Sequence, residues 1–117
     1  MNQEELLSWI SKHFSSRSVE MLSDGVDSIQ CFSWQDNYEL GKILNNLLEE
    51  EGLGKEEEAT IVFESRKPQI RMSMNRIAER IESLNETEVK WWVIPDSRAW
   101  LVEFRNFGEL WFCRIKG

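Results

Sequence analysis

Leu6, Leu7, Ile10 and Phe14 recur at helical spacing behind Asn2 and Glu5, a pair resembling a capping box. The pattern predicts a first helix over about residues 3–14, ended by Ser15-Ser16. Two short mixed runs, Ser18 to Leu22 and Val26 to Phe32, flank Ser23-Asp24-Gly25 and read as two strands joined by a hairpin turn. The period then changes. Leu40, Ile43, Leu44, Leu47 and Leu48 form an apolar stripe with Ser33 and Asp36 as a capping signal before it and Gly52 just after it, which predicts a second helix. Ala59 to Ser65 alternates like a strand, and Pro68 interrupts the chain. Met74, Ile77, Ala78, Ile81 and Leu84 predict a third helix with Ser73 as N-cap and Asn85 as its stop.

The last part of the chain carries three aromatic and β-branched runs, Val89 to Ile94, Ala99 to Phe104 and Leu110 to Ile115. Pro95-Asp96-Ser97 and Asn106-Phe107-Gly108 separate them, and such short connections imply an antiparallel meander. In the middle run Trp100, Val102 and Phe104 share one face while Leu101 and Glu103 take the other, so both faces are expected to be partly covered. The fold class is therefore α+β, with about three helices packed on an antiparallel sheet that ends in a C-terminal three-stranded meander. At 117 residues the chain has the size of one domain, and no Pro, Gly or Ser-rich stretch divides it.

A core of this size needs no disulfide or structural metal. Cys31 and Cys113 are accordingly expected to be small buried thiols, and a reducing cytoplasm is the expected location. MNQEELLSWI lacks the basic and apolar regions of a secretory signal. The longest apolar run, Trp91 to Pro95, is far short of the roughly 20 residues a membrane-spanning helix needs, so no membrane association is expected.

Charge changes the picture more than composition does. The net charge of −7 opposes attraction to nucleic acid and favours basic partners. Most of the excess lies between Asp36 and Glu58, where Asp36, Glu39, Glu49, Glu50, Glu51, Glu56, Glu57 and Glu58 face only Lys42 and Lys55. The residues Arg66, Lys67, Arg71, Arg76 and Arg80 form a basic stretch, but it lacks aromatics for base stacking. Ion pairs with the acidic loop, or the polar face of the third helix, are its expected use.

Candidate chemistry is sparse. His13 is the only histidine, and a reactive pair would have to bring it to Cys31 or Cys113. One histidine and two distant cysteines give no zinc site of ordinary spacing, no Gly-rich run follows a strand to cradle phosphate, and no cofactor is expected. Four of the six tryptophans, Trp91, Trp92, Trp100 and Trp111, fall in the meander, and adjacent Trp91 and Trp92 must point to opposite faces. Trp92 is therefore a candidate exposed anchor for a partner, beside the acids named above.

A short acidic chain with helices beside an aromatic-rich meander resembles the small immunity proteins that bacteria use to neutralise toxins of contact-dependent and related systems. The resemblance is one of general build and transfers no binding residue to a position here. It implies a non-enzymatic inhibitor that covers a basic nuclease-type toxin, while the charge distribution makes Asp36 to Glu58 the segment expected to meet the partner. The alternatives are a structural or regulatory homo-oligomer held by its tryptophan-rich sheet, and a small-ligand binder or enzyme using Glu103 or Cys113 in a pocket between sheet and helices. The oligomeric state is open.

Overall fold

The computed structural model describes residues 3–13, 26–86 and 88–115. Among them are three helices, α1 (Gln3–His13), α2 (Asn37–Glu50) and α3 (Met74–Glu86), and six strands. The strands are β1 (Val26–Ser33), β2 (Glu58–Phe63), β3 (Ile70–Ser73), β4 (Lys90–Pro95), β5 (Trp100–Arg105) and β6 (Glu109–Ile115). They form one antiparallel sheet in the order β1-β6-β5-β4-β2-β3. The α+β class, the helices and the C-terminal meander β4-β5-β6 match the sequence reading. Phe14, the run Ser18 to Leu22 and the turn Ser23 to Gly25 lie outside the described residues.

Since every pairing is antiparallel, β1 and β2 run the same way and α2 crosses over the three strands between them. α3 likewise carries the chain from β3 across β2 to β4. β3 is an addition to the expected elements. Pro68 removes a donor and breaks the periodic pattern, so the four residues after Gln69 carry too little alternation to read as a strand. They pair with β2 from Ile61↔Ile70 to Glu58↔Ser73.

The helix ends are satisfied from nearby chain. Asp36 caps α2, accepting from Glu39 N at 3.1 Å, while the Glu39 carboxylate accepts from Gln35 N at 3.3 Å. At the start of α3, Ser73 Oγ accepts from Arg76 N, and the carbonyls of Glu57 and Lys55 accept from Met74 N and Asn75 N. Gly52, at φ 66°, follows the C-cap of α2 in the left-handed conformation that glycine adopts without strain.

Both faces of the sheet are covered. On one, Leu40, Leu44, Leu47 and Leu48 of α2 and Met74, Ile77 and Ile81 of α3 pack on Ile61, Trp91, Val93, Val102, Phe104 and Phe112. Trp91 stacks on Phe104 at 4.0 Å, and its indole donates to Asn85 Oδ1 at 3.0 Å. On the other, Leu6, Leu7 and Ile10 of α1 cover Val62, Trp92, Ile94, Leu101 and Cys113. Burying each such side chain stabilises the fold by about 1.5–3 kcal/mol.

Candidate interaction surface

The strands run between two ends of the molecule, and the acids predicted as one patch are divided between them. α2, of 14 residues, is roughly 21 Å long. Asp36 and Glu39 sit at its start, engaged in the cap, while Glu49, Glu50 and Glu51 sit at its other end. Glu56, Glu57 and Glu58 lead into β2 beside that second group. Cations from the segment itself and from β6 meet this acidic end. Lys55 Nζ lies 3.3 Å from Glu49, and Arg114 pairs with Glu51 at 3.4 Å while donating to its carbonyl. Glu56 accepts from Asn75 in the first turn of α3, so it lies by the positive end of that helix dipole. Glu57 accepts from Ser97 Oγ at 2.8 Å, and Glu50 and Glu58 are exposed.

The basic stretch pairs elsewhere than with the acidic loop. Arg66 bonds Glu4 of α1, Lys67 meets Glu88 at 2.8 Å, and Arg71 forms a two-pronged pair with Asp96 at 2.8 Å. The Arg71 hydrogen bond holds the Asp96 carboxyl below the usual carboxylate range, and the same bond raises the guanidinium. Arg71, Asp96, Arg98, Gln69 and Thr60 line a small polar cleft beside Leu6. Arg98, with φ 56°, lies over the Trp9 ring, so this cleft also fastens α1 to the sheet.

Trp92 is fully buried, which corrects its reading as an exposed anchor. Trp91 and Trp92 do point to opposite faces, but α1 covers the second face as α2 and α3 cover the first. One cross-strand row on the α1 face reads Val62, Trp92, Glu103, Trp111 and Cys31. Within it Glu103, with no exposed surface, accepts from Trp92 Nε1 at 2.8 Å and from Arg105 Nε at 2.7 Å. Arg105 also meets Glu109 at 3.3 Å and lies over the ring of Trp111, whose Nε1 donates to Glu109. These pairings satisfy Glu103 by burial-compatible hydrogen bonds rather than aim it into a pocket.

Cys113 is buried, and burial, helped by the negative charge of Glu103, pushes its thiol up to about 12, which makes it a poor nucleophile at neutral pH. Cys31 is exposed, contrary to the expectation of a buried thiol. It lies on the edge strand β1, opposite half-buried Trp111, where α1 no longer covers the sheet. His13 ends α1, and its side chain lies outside what the structure describes. Among the described residues no group of His, Cys, Asp and Glu is arranged to hold a metal, and no helix is long and apolar enough to cross a membrane.

A different surface emerges at the end opposite the acidic one. Among the described residues the exposed large apolar side chains are Tyr38, Ile70, Val89 and Phe107. Tyr38 opens α2, Ile70 opens β3, Val89 precedes β4, and Phe107 tips the β5–β6 turn, so all four lie at one end of the sheet. Asn106 N donates to the Val89 carbonyl, which places Phe107 beside Val89. Exposed Asp36, Glu64 and Glu86 stand around this end together with exposed Arg66 and Lys67, and Lys42 lies over the Tyr38 ring at 4.7 Å. Two hollows open there, one of about 450 Å³ between Phe63, Pro68, Ile70 and Leu84 and one of about 250 Å³ against Val89, with Glu88 lining both. Each residue of this surface is adjacent to a turn and far from the others in sequence. Its one signal in the chain is Phe107, a large ring in a turn between two strands.

Comparison with protein-family models, curated proteins and solved structures finds no match to this chain.

Proposed function

We propose that the chain is a non-catalytic binding domain for a basic protein, working as an acidic inhibitor of the immunity type that covers a toxin. The observation that carries this reading is that Tyr38, Ile70, Val89 and Phe107, exposed and apolar, are spread along one end of the sheet in a chain with net charge −7. Exposed aromatics ringed by polar groups are the composition of a protein-binding patch. The net charge supplies attraction to a basic partner over a Debye length and beyond at low salt, which raises the encounter rate. Under this reading Glu49, Glu50, Glu51, Glu56, Glu57 and Glu58 act on association, and Asp36 and Glu39 act at the contact end as a helix cap beside Tyr38. The homo-oligomer alternative loses its main support, because Trp91, Trp92 and Trp100 fill the chain's own core.

The test uses two surface variants of the purified chain, with a partner recovered on the immobilised wild type from its source cells. Replacing Glu49, Glu50, Glu56 and Glu58 by glutamine is expected to slow association about three- to tenfold at low salt and leave dissociation unchanged. Replacing Val89 and Phe107 by serine is expected to speed dissociation by tenfold or more. Recovery of no basic protein, or unchanged dissociation in the serine variant, refutes the proposal.

A further inference from the structure

Glu88 is a buried carboxylate held in an unusual way. Its side chain is 3% exposed, in the connection between α3 and β4. Ser65 Oγ donates to Oε2 at 2.9 Å. Oε1 lies 2.8 Å from Lys67 Nζ, an ion-pair contact of poor hydrogen-bond geometry, and no other group donates to it. The Lys67 side chain itself is 55% exposed. Withdrawing a carboxylate from water is costly unless its lone pairs are used, and a largely solvated lysine compensates little of that cost.

The same carboxylate lines the hollow of about 450 Å³ whose apolar walls are Phe63, Pro68, Ile70 and Leu84, with Lys67, Gln69 and Ser83 at its polar side. An apolar trough ending on one under-used acceptor of negative charge fits a side chain with a hydrocarbon stem and a cationic, multiply donating head. Arginine meets that description better than lysine, because its planar fork supplies fixed N–H directions to a carboxylate. The hollow also lies at the apolar end, beside Ile70 and Val89.

We propose that the hollow between Phe63, Pro68, Ile70 and Leu84 receives an arginine side chain of the basic protein partner, whose guanidinium takes the place of Lys67 Nζ on Glu88. This rests on the protein-binding reading and names its central contact. Lys67 is then a resident competitor: it keeps the buried charge partly compensated in the free chain and swings into solvent when the arginine enters.

The probe is n-butylguanidinium, titrated into the full chain and followed by amide NMR shifts, with n-butylammonium and n-butanol as comparisons. Saturable shifts are expected at Ser65, Lys67, Leu84, Glu88 and Val89, with guanidinium bound more tightly than ammonium and butanol giving none. Lys67→Ala, which removes the competing cation from Glu88, is expected to tighten probe binding about two- to fivefold. Glu88→Gln is expected to weaken it about tenfold or more. Weaker probe binding in Lys67→Ala, or equal shifts with butanol, overturns the proposal. The two variants are also measured against the recovered basic protein, where changes in the same directions are expected. If a basic protein binds and neither variant alters its affinity, the arginine contact is wrong and the binding reading stands. If the probe behaves as described and no basic protein binds the chain, the protein source is wrong and the binding reading falls with it.

Discussion

Replacing Glu103 by alanine should cost this fold more than any other single loss of a carboxylate among the described residues. Glu103 has no exposed surface and accepts from both Trp92 Nε1 and Arg105 Nε. The Arg105 side chain is 8% exposed, so its charge stays in the interior when Glu103 is removed, facing Glu109 at 3.3 Å. Deleting one partner of a buried ion pair costs about 3–5 kcal/mol. The stranded indole N–H overlaps with that figure rather than adding fully to it. Against a stability of about 5–15 kcal/mol for a domain, a loss near 4 kcal/mol is severe. Glu103→Gln keeps an acceptor and the side-chain volume, and should cost less, about 1.5–3 kcal/mol. The pair itself is a different matter. Glu103→Leu combined with Arg105→Met removes both charges together and should fall within about 1 kcal/mol of wild type or above it.

Urea unfolding followed by tryptophan fluorescence reads these differences. With a slope near 2 kcal/mol per molar urea, the Glu103→Ala midpoint should drop by about 2 M. The cycle among the single and double variants then isolates the Glu103–Arg105 coupling. A Glu103→Ala variant within 1 kcal/mol of wild type would show that the row does not act as a unit. A Leu/Met double variant no better than the alanine variant would show that the charges stabilise this fold outright.

Cys113, held at about 12 in the fold against an ordinary value of 9.0, makes stability depend on alkaline pH. Its contribution is complete below about pH 9 and is lost by about 1.4 kcal/mol per pH unit between 9 and 12 as the unfolded thiol ionises, so Cys113→Ala should flatten midpoints measured across pH 8 to 10. In the folded chain at pH 8, iodoacetamide should label Cys31 and spare Cys113 until denaturant is added, as mass spectrometry would show. Gly108 has φ 119°, and an added Cβ would lie 2.8 Å from the Trp34 carbonyl oxygen, a backbone atom that also receives no slack from the Trp34 N to Gly108 O bond. Gly108→Ala should therefore lower stability by about 1–3 kcal/mol in the same unfolding assay. By contrast Asp96→Asn, at a half-exposed pair, should change it by less than about 1 kcal/mol despite ideal geometry with Arg71.

What the chain discloses about itself depends on whether a property is carried by local order or by what the fold brings together. The leucine stripe of α2, the Ser73 cap of α3 and the alternation of Trp100 to Phe104 are local, and each is found where the sequence puts it. Exposure is not local. Trp92 follows the alternation that sends it away from Trp91, but only the docking of α1, placed far earlier in the chain, decides that this side is also covered. Cys31 shows the converse, a residue in a good strand left open because its strand is an edge. Charge behaves in the same way. Asp36 to Glu58 is a single acidic segment on paper, yet a straight helix in its middle carries its acids to opposite ends, and Lys55, Asn75, Ser97 and Arg114 engage four of them at one end. The apolar end is the strongest instance. Tyr38, Ile70, Val89 and Phe107 share no motif and no period, and only a sheet order that brings the start of α2, β3, β4 and the β5–β6 turn to one end of the sheet sets them along the same side of the molecule.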